Sequence, residues 1–120
     1  MKYLCLIYDE EAKMGTMAKT ESDAFMGEYM SFTDDIKKSG HMVVGEALHP
    51  VQAATSVRIR NGKLSTTDGP FAETKEQLGG FYLVNARDLN EAIQVASRIP
   101  SARTGTVEVR PVVDFSQPQA

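Results

Sequence analysis

Asp68, Glu73, Lys75 and Glu76 fall within one short segment, DGPFAETKEQLGGFYLV (68–84), beside Phe71 and directly ahead of an apolar run. A carboxyl group held against an apolar wall keeps its proton to higher pH, and a neighbouring ammonium pulls the value back down. Side chains in such surroundings can take and return protons near neutral pH, so the chemistry this cluster points to is general acid–base transfer. Asp68 is the candidate acid or base. Glu73 and Lys75 would tune or orient it, while Pro70 and Phe71 would shape the wall. The same letters also spell a turn, because Asp caps, Gly frees φ and Pro sets direction. In that reading Glu73 and Lys75 are solvated loop residues.

Outside this segment the candidates are fewer. Glu46 shares a strand face with Val44 and Leu48, which makes it a pocket-lining acid or an arginine partner. His49 ends the same strand just before Pro50 and can approach a neighbouring strand end; the alternative is a surface histidine. Cys5, His41 and His49 have no metal-ligand spacing, so neither a metal nor a cofactor is expected. Ser65, Thr66 and Thr67 precede Asp68 without a nucleophile elbow, which argues against a serine hydrolase. Gly79-Gly80 is not followed by Lys-Ser/Thr and is no phosphate loop; it lets the backbone approach a ligand or strand closely. Met14, Met17, Met26 and Met30 read as adaptable packing around a cleft.

The elements that must position these residues follow from periodicity. Lys2–Asp9 is short, continuously apolar and aromatic, the pattern of a buried strand. Phe25, Tyr29, Phe32 and Ile36 recur at helical spacing, which predicts an amphipathic helix over about 21–39. Thr20 and Asp23 have capping-box spacing at its start, and Gly40 stops it. The Met-rich stretch before the helix has no periodicity that assigns it. A strand is expected from Met42 to Leu48. TSVRIR and KLSTTD flank Asn61-Gly62, a strong hairpin signal, since both turn positions need positive φ. GGFYLVN is a further strand. Asp88 and Glu91 have N-cap and N3 spacing ahead of a second helix with an apolar stripe of Leu89, Ala92, Ala96 and Ile99, stopped by Pro100. TGTVEVRPVVD alternates as a last strand, and the tail 116–120 is expected to fray.

Without the hairpin the order is β-α-β-β-α-β, an α+β ferredoxin-like arrangement in a single domain, 1–115. Two helices cover only one face of such a sheet, yet Phe81 and Leu83 point one way while Tyr82 and Val84 point the other. Soluble chains rarely expose an apolar face of that size, so a two-fold homodimer is expected to cover it.

Composition narrows the class. A net charge of −3 with no Lys/Arg block lacks the basic footprint of nucleic-acid binding. The apolar run YLCLIY is far shorter than the ~20 residues a membrane span needs. It is also shorter than a signal-peptide core and is followed at once by acids. One cysteine cannot form an internal disulfide, consistent with a reducing, cytoplasmic setting.

DGPFAETKEQLGGFYLV closely resembles the signature of the YCII-related proteins, in the branch known by its DGPF motif. MKYLCLIYDE, GEALHP, VRIRNGKLSTTDGPF and EVRPV resemble that family's opening strand, second strand, hairpin and last strand, so nearly the whole chain is covered. The resemblance implies a ferredoxin-like fold whose sheets pack as a dimeric α/β barrel. It also implies a His–Asp pair as a candidate site, with a dehydrochlorinase of a chlorinated hydroxyquinol among the relatives. Asp68 matches the motif. The family's histidine lies in the first helix, where this chain has none; Tyr29 is the nearest polar aromatic, and His41 and His49 lie beyond the helix. Genes of DGPF proteins tend to lie beside those of extracytoplasmic-function sigma factors, which makes a sigma factor the implied partner. Two activities stay open: an acid–base enzyme acting on a small cyclic or aromatic molecule, and a module that senses a small molecule or binds a partner.

Overall fold

The computed structural model describes residues 1–116; the expected tail lies, beyond Ser116, outside the described residues. The elements run β1 (Lys2–Asp9), α1 (Glu11–Met14), α2 (Lys19–Lys38), β2 (Met42–Ala47), β3 (Thr55–Arg60), β4 (Lys63–Asp68), β5 (Gln77–Asn85), α3 (Leu89–Ala96), α4 (Ser101–Thr104) and β6 (Thr106–Pro111). Strands β2, β5, β1 and β6 form one sheet in that order, every neighbouring pair antiparallel. This is the expected ferredoxin-like α+β order, with β3 and β4 as a separate two-stranded hairpin.

Strand alternation sorts the side chains. Tyr3, Cys5 and Ile7 of β1 and Tyr82 and Val84 of β5 face the helices. There they pack with Phe32 and Ile36 of α2, Ala92, Val95 and Ala96 of α3, and Ile99. The opposite face carries the cross-strand rows Val44–Leu83–Leu4–Arg110 and Glu46–Phe81–Leu6–Glu108. No residue of these two rows is fully buried. The two-faced apolar strands expected from the sequence are therefore present.

Local chemistry explains most boundaries. Asn61 (φ 52°) and Gly62 (φ 74°) both take the left-handed region, which makes the tight turn that keeps two strands twisted together. Asp88 caps α3 by accepting from the Glu91 N–H at 2.9 Å. Three expectations are corrected. The Thr20–Asp23 capping box does not form: α2 begins at Lys19 after Ala18, with no side-chain cap, and Asp23 pairs instead with Lys19 at 2.8 Å. Leu89 is half exposed, and Val95 joins Ala92 and Ala96 in the buried stripe, since 92, 95 and 96 fall on one helical face at i, i+3 and i+4. Pro100 does not merely stop α3, which ends at Ala96, but opens the short α4; proline's fixed φ suits a first helical turn. The unassigned Met-rich stretch contains α1, held where the Glu10 carbonyl accepts from the Lys13 and Met14 N–H groups.

Candidate functional site

Between α2 and the β2–β5–β1 part of the sheet lies a cleft of about 630 Å³, within the size range of small-molecule sites. Two features of the sheet open it. Gly79 is the extra residue of a β-bulge, since Ile7 pairs with Gly80 and Tyr8 with Leu78. Bulges bend a strand and commonly sit beside sites. Gly45 and Gly80 face the helix side, where other strands present side chains. A Cβ on Gly80 would meet the Glu46 carbonyl oxygen at 2.8 Å, and one on Gly45 would meet the Tyr82 ring at 2.6 Å. The expected role of Gly80 as a close-approach residue is thus met by another strand, while Gly79 opens toward the cleft.

The walls are largely apolar: Met14, Met17, Phe25, Met26 and Met30, with Phe25 edge-on to Tyr29 at 5.4 Å between ring centroids. Lys37 is the one cation among the lining residues. The floor is polar and connected. The Ser101 hydroxyl donates to Asp9 Oδ2 and the Thr104 hydroxyl to Asp9 Oδ1, the latter at 2.7 Å. Tyr29 Oη and Ser101 Oγ lie 2.5 Å apart. Because Ser101 has a single hydroxyl proton and gives it to Asp9, the Tyr29 hydroxyl must be the donor to Ser101. Tyr29, Ser101 and Asp9 therefore form a directed chain of hydrogen bonds that ends on a carboxylate. Thr33 and Tyr82 add a second hydroxyl pair at 2.6 Å.

Burial pushes the Tyr29 phenol above its ordinary value; the Ser101 hydrogen bond opposes this and the nearby Asp9 charge adds to it. The phenol is thus held protonated at neutral pH. Ser101 is only 1% exposed, and its side chain makes no further hydrogen bond to a described residue. Burial also pushes the Cys5 thiol up to about 11, which leaves it a packing residue rather than a nucleophile.

The residues singled out in the sequence divide sharply. Tyr29 lines the cleft. Glu46 borders it through its strand, while its register opposite Phe81 turns its side chain to the other sheet face. Asp68, His49, Pro70, Phe71, Glu73 and Lys75 do not line the cleft and are exposed; Phe71 is 81% exposed. Asp68 ends β4 opposite Thr55, and the turn after it is held by the Ser56 hydroxyl on the Gly69 carbonyl (2.9 Å) and the Gly69 N–H on the Ala54 carbonyl (2.7 Å). Asp9 and Ser101 were not candidates in the sequence. The signal that could have found Asp9 is an acid at the carboxyl end of an otherwise apolar central strand. Ser101 has no local signal at all.

The family profile of the YCII-related domain matches residues 1–116. An uncharacterised protein of Rhizobium meliloti is 36% identical over 114 residues, spanning 93% of this chain and 92% of that relative. The solved 5-chloro-2-hydroxyhydroquinone dehydrochlorinase of Burkholderia phenoliruptrix, in complex with 2,5-dihydroxybenzoquinone, superposes over 97% of both chains with a TM-score of 0.55. At 13% identity that likeness shows a shared fold.

Proposed function

From the premise that the chain belongs to the YCII-related family, we propose that its cleft takes up a small cyclic or aromatic molecule and moves a proton on it. The observation that carries this reading is the Tyr29–Ser101–Asp9 chain at the floor of an apolar cleft. A ligand proton passes to Tyr29 Oη as the phenolic proton passes to Ser101 Oγ and the Ser101 proton to Asp9. The ligand leaves the step as an anion and Asp9 as a carboxylic acid. No free tyrosinate forms, which matters for a phenol whose ionisation is disfavoured by burial. The reverse passage returns a proton to the product. General acid–base transfer of this kind contributes on the order of 10²–10⁴ in rate.

Loss of hydrogen chloride, the reaction named for the structural neighbour, needs such a proton acceptor, and its bound quinone is a small ring of the kind that fits the cleft volume. Two copies closed over Leu4, Leu6, Phe81 and Leu83 would bury the apolar sheet face and complete a dimeric barrel.

A thermal-shift screen against small hydroxylated and cyclic compounds tests the reading, run in parallel on Tyr29→Phe and Asp68→Asn. A bound ligand raises the melting temperature by mass action. The expected result is a compound that stabilises the wild-type protein, is altered when recovered for mass spectrometry, and is left unaltered by Tyr29→Phe. A ligand recovered unchanged from wild type would assign the cleft to sensing, with a sigma factor as the first partner to test. A compound turned over by Tyr29→Phe and not by Asp68→Asn would move the chemistry to the DGPF segment.

A further inference from the structure

The hairpin β3–β4 and the loop after it stand apart from the four-stranded sheet and do not line the cleft. By register, Ile59 pairs with Leu64 and Val57 with Thr66, so Val57, Ile59 and Leu64 share one face. They are 63%, 64% and 69% exposed. Arg58, Arg60 and Lys63 occupy the other face. The hydrogen bonds at its root join Ser56, Ala54 and Gly69, residues of the arm and its immediate flanks. A two-stranded ribbon with no third strand or helix beneath it is marginal in water, and an apolar face of this kind is rarely left open.

We propose that this arm docks on a second copy of the chain, with its apolar face over the Met26–Met30 stripe of the other copy's α2. Charge selects the occupant. The chain carries 13 Lys and Arg and 16 Asp and Glu. The arm, 55–68, holds three of those cations and one acid, net +2, which leaves the remainder of the chain at −5. An arm and a body of opposite sign attract, and the body of a second copy is the surface of that sign that is always present. The receiving patch matches in kind. Met26 and Met30, one turn apart on α2, are 61% and 64% exposed; the same side of the helix carries the Lys19–Asp23 ion pair, Lys37, and Asp34, whose carboxylate has no ion pair to any described residue. Methionine adapts to irregular apolar partners, and a long arginine or lysine side chain at the ribbon's edge can reach the Asp34 carboxylate beside the patch. The exchange is reciprocal, so each copy gives one arm and receives one. Met26 and Met30 also line the mouth of the cleft, so the docked arm would roof the site, a consequence that rests on the function proposed above.

A photoreactive benzoylphenylalanine placed at Leu64, in a mixture of isotope-labelled and unlabelled protein, reads the docking directly. The expected products join residue 64 of one isotope to the peptide containing Met26 and Met30 of the other. Cross-links confined to single chains, or intermolecular links to another segment, would overturn the proposal. The double variant Val57→Asp and Ile59→Asp should weaken self-association about tenfold or more by sedimentation, with its far-ultraviolet circular dichroism unchanged. An unchanged dissociation constant overturns the proposal even if the cross-linking protein folds poorly. Ligand stabilisation of a protein with a free arm would leave the cleft reading standing alone, so the two fail separately.

Discussion

At the floor of the cleft every polar group has a partner: Tyr29 bonds Ser101, Ser101 and Thr104 bond Asp9, and Thr33 bonds Tyr82. Along the β3–β4 arm the charges outnumber their partners, with Arg58, Lys63 and Asp68 making no side-chain hydrogen bond or ion pair to any described residue. The two regions also invert the apolar pattern. The cleft is largely apolar on its walls and gathers its hydrogen-bonded polar groups at its base, whereas the arm shows its apolar face to solvent. A buried polar group must be paired or it costs stability, while an exposed one is solvated whatever its neighbours do. The floor is therefore a place where geometry is enforced, and the arm is a surface whose geometry waits on what it meets.

If the floor is enforced, Gly45→Val should be the most damaging change. Its new side chain would stand within 2.6–2.8 Å of the Tyr82 ring and 3.2 Å of Met42, so the ring that bonds Thr33 must move. The expected loss in denaturant unfolding is about 1–3 kcal/mol, typical of overpacking. A neutral result would break the contrast, because it would mean the floor yields as easily as a loop.

Ser101→Ala comes next, at about 1–3 kcal/mol, since it strips a partner from two half-buried groups at once. It should also move the Tyr29 phenol further up, because the Ser101 hydrogen bond is what lowers it. Asp9→Asn should do the opposite and bring the phenol back toward its ordinary value, by removing the negative charge that raises it. Ultraviolet titration of the phenol separates the two. The sign for stability follows. A raised phenol contributes stability that is present below its ordinary 10.0 and lost as pH rises through the folded value. Wild-type stability should therefore fall on the alkaline side of pH 10 more steeply than that of Tyr29→Phe.

Asp88→Ala provides a yardstick on the body, away from both regions. Losing the cap to the Glu91 N–H should cost about 0.5–2 kcal/mol of thermal stability. Asp68→Ala should cost least, within about 0.5 kcal/mol when measured at concentrations too dilute for self-association. A larger effect there would show that Asp68 has a partner in the monomer and would erase the difference between arm and floor.

How much of this was legible beforehand depended on range. The type of turn at Asn61-Gly62, the Asp88 cap and the apolar stripe of α2 are decided by residues within about four positions of one another, and each is readable as spacing. The strand order followed from the sequence of elements, because split β-α-β-β-α-β connections leave few topologies. The Thr20–Asp23 box shows the limit even of local reading: the right residues at the right spacing yielded to a helix that begins two residues earlier. Of the cleft, the sequence made legible Tyr29, the methionines Met14, Met17, Met26 and Met30, the Gly79-Gly80 pair and, at the margin, Glu46. The DGPF segment drew attention because unusual residues cluster there in sequence, but clustering in sequence places side chains in a loop as readily as in a pocket.

By itself, then, the chain specified its strands and two long helices, their order and a sheet apolar on both faces, because periodicity and turn chemistry act over neighbouring residues. Tertiary structure decided which hydroxyl meets which carboxylate. Asp9 and Ser101 stand 92 positions apart, and Tyr29 and Ser101 stand 72 apart. No local pattern encodes such a meeting. It arises only when α2 and α4 are laid against the end of β1, where burial compels each polar group to find the others.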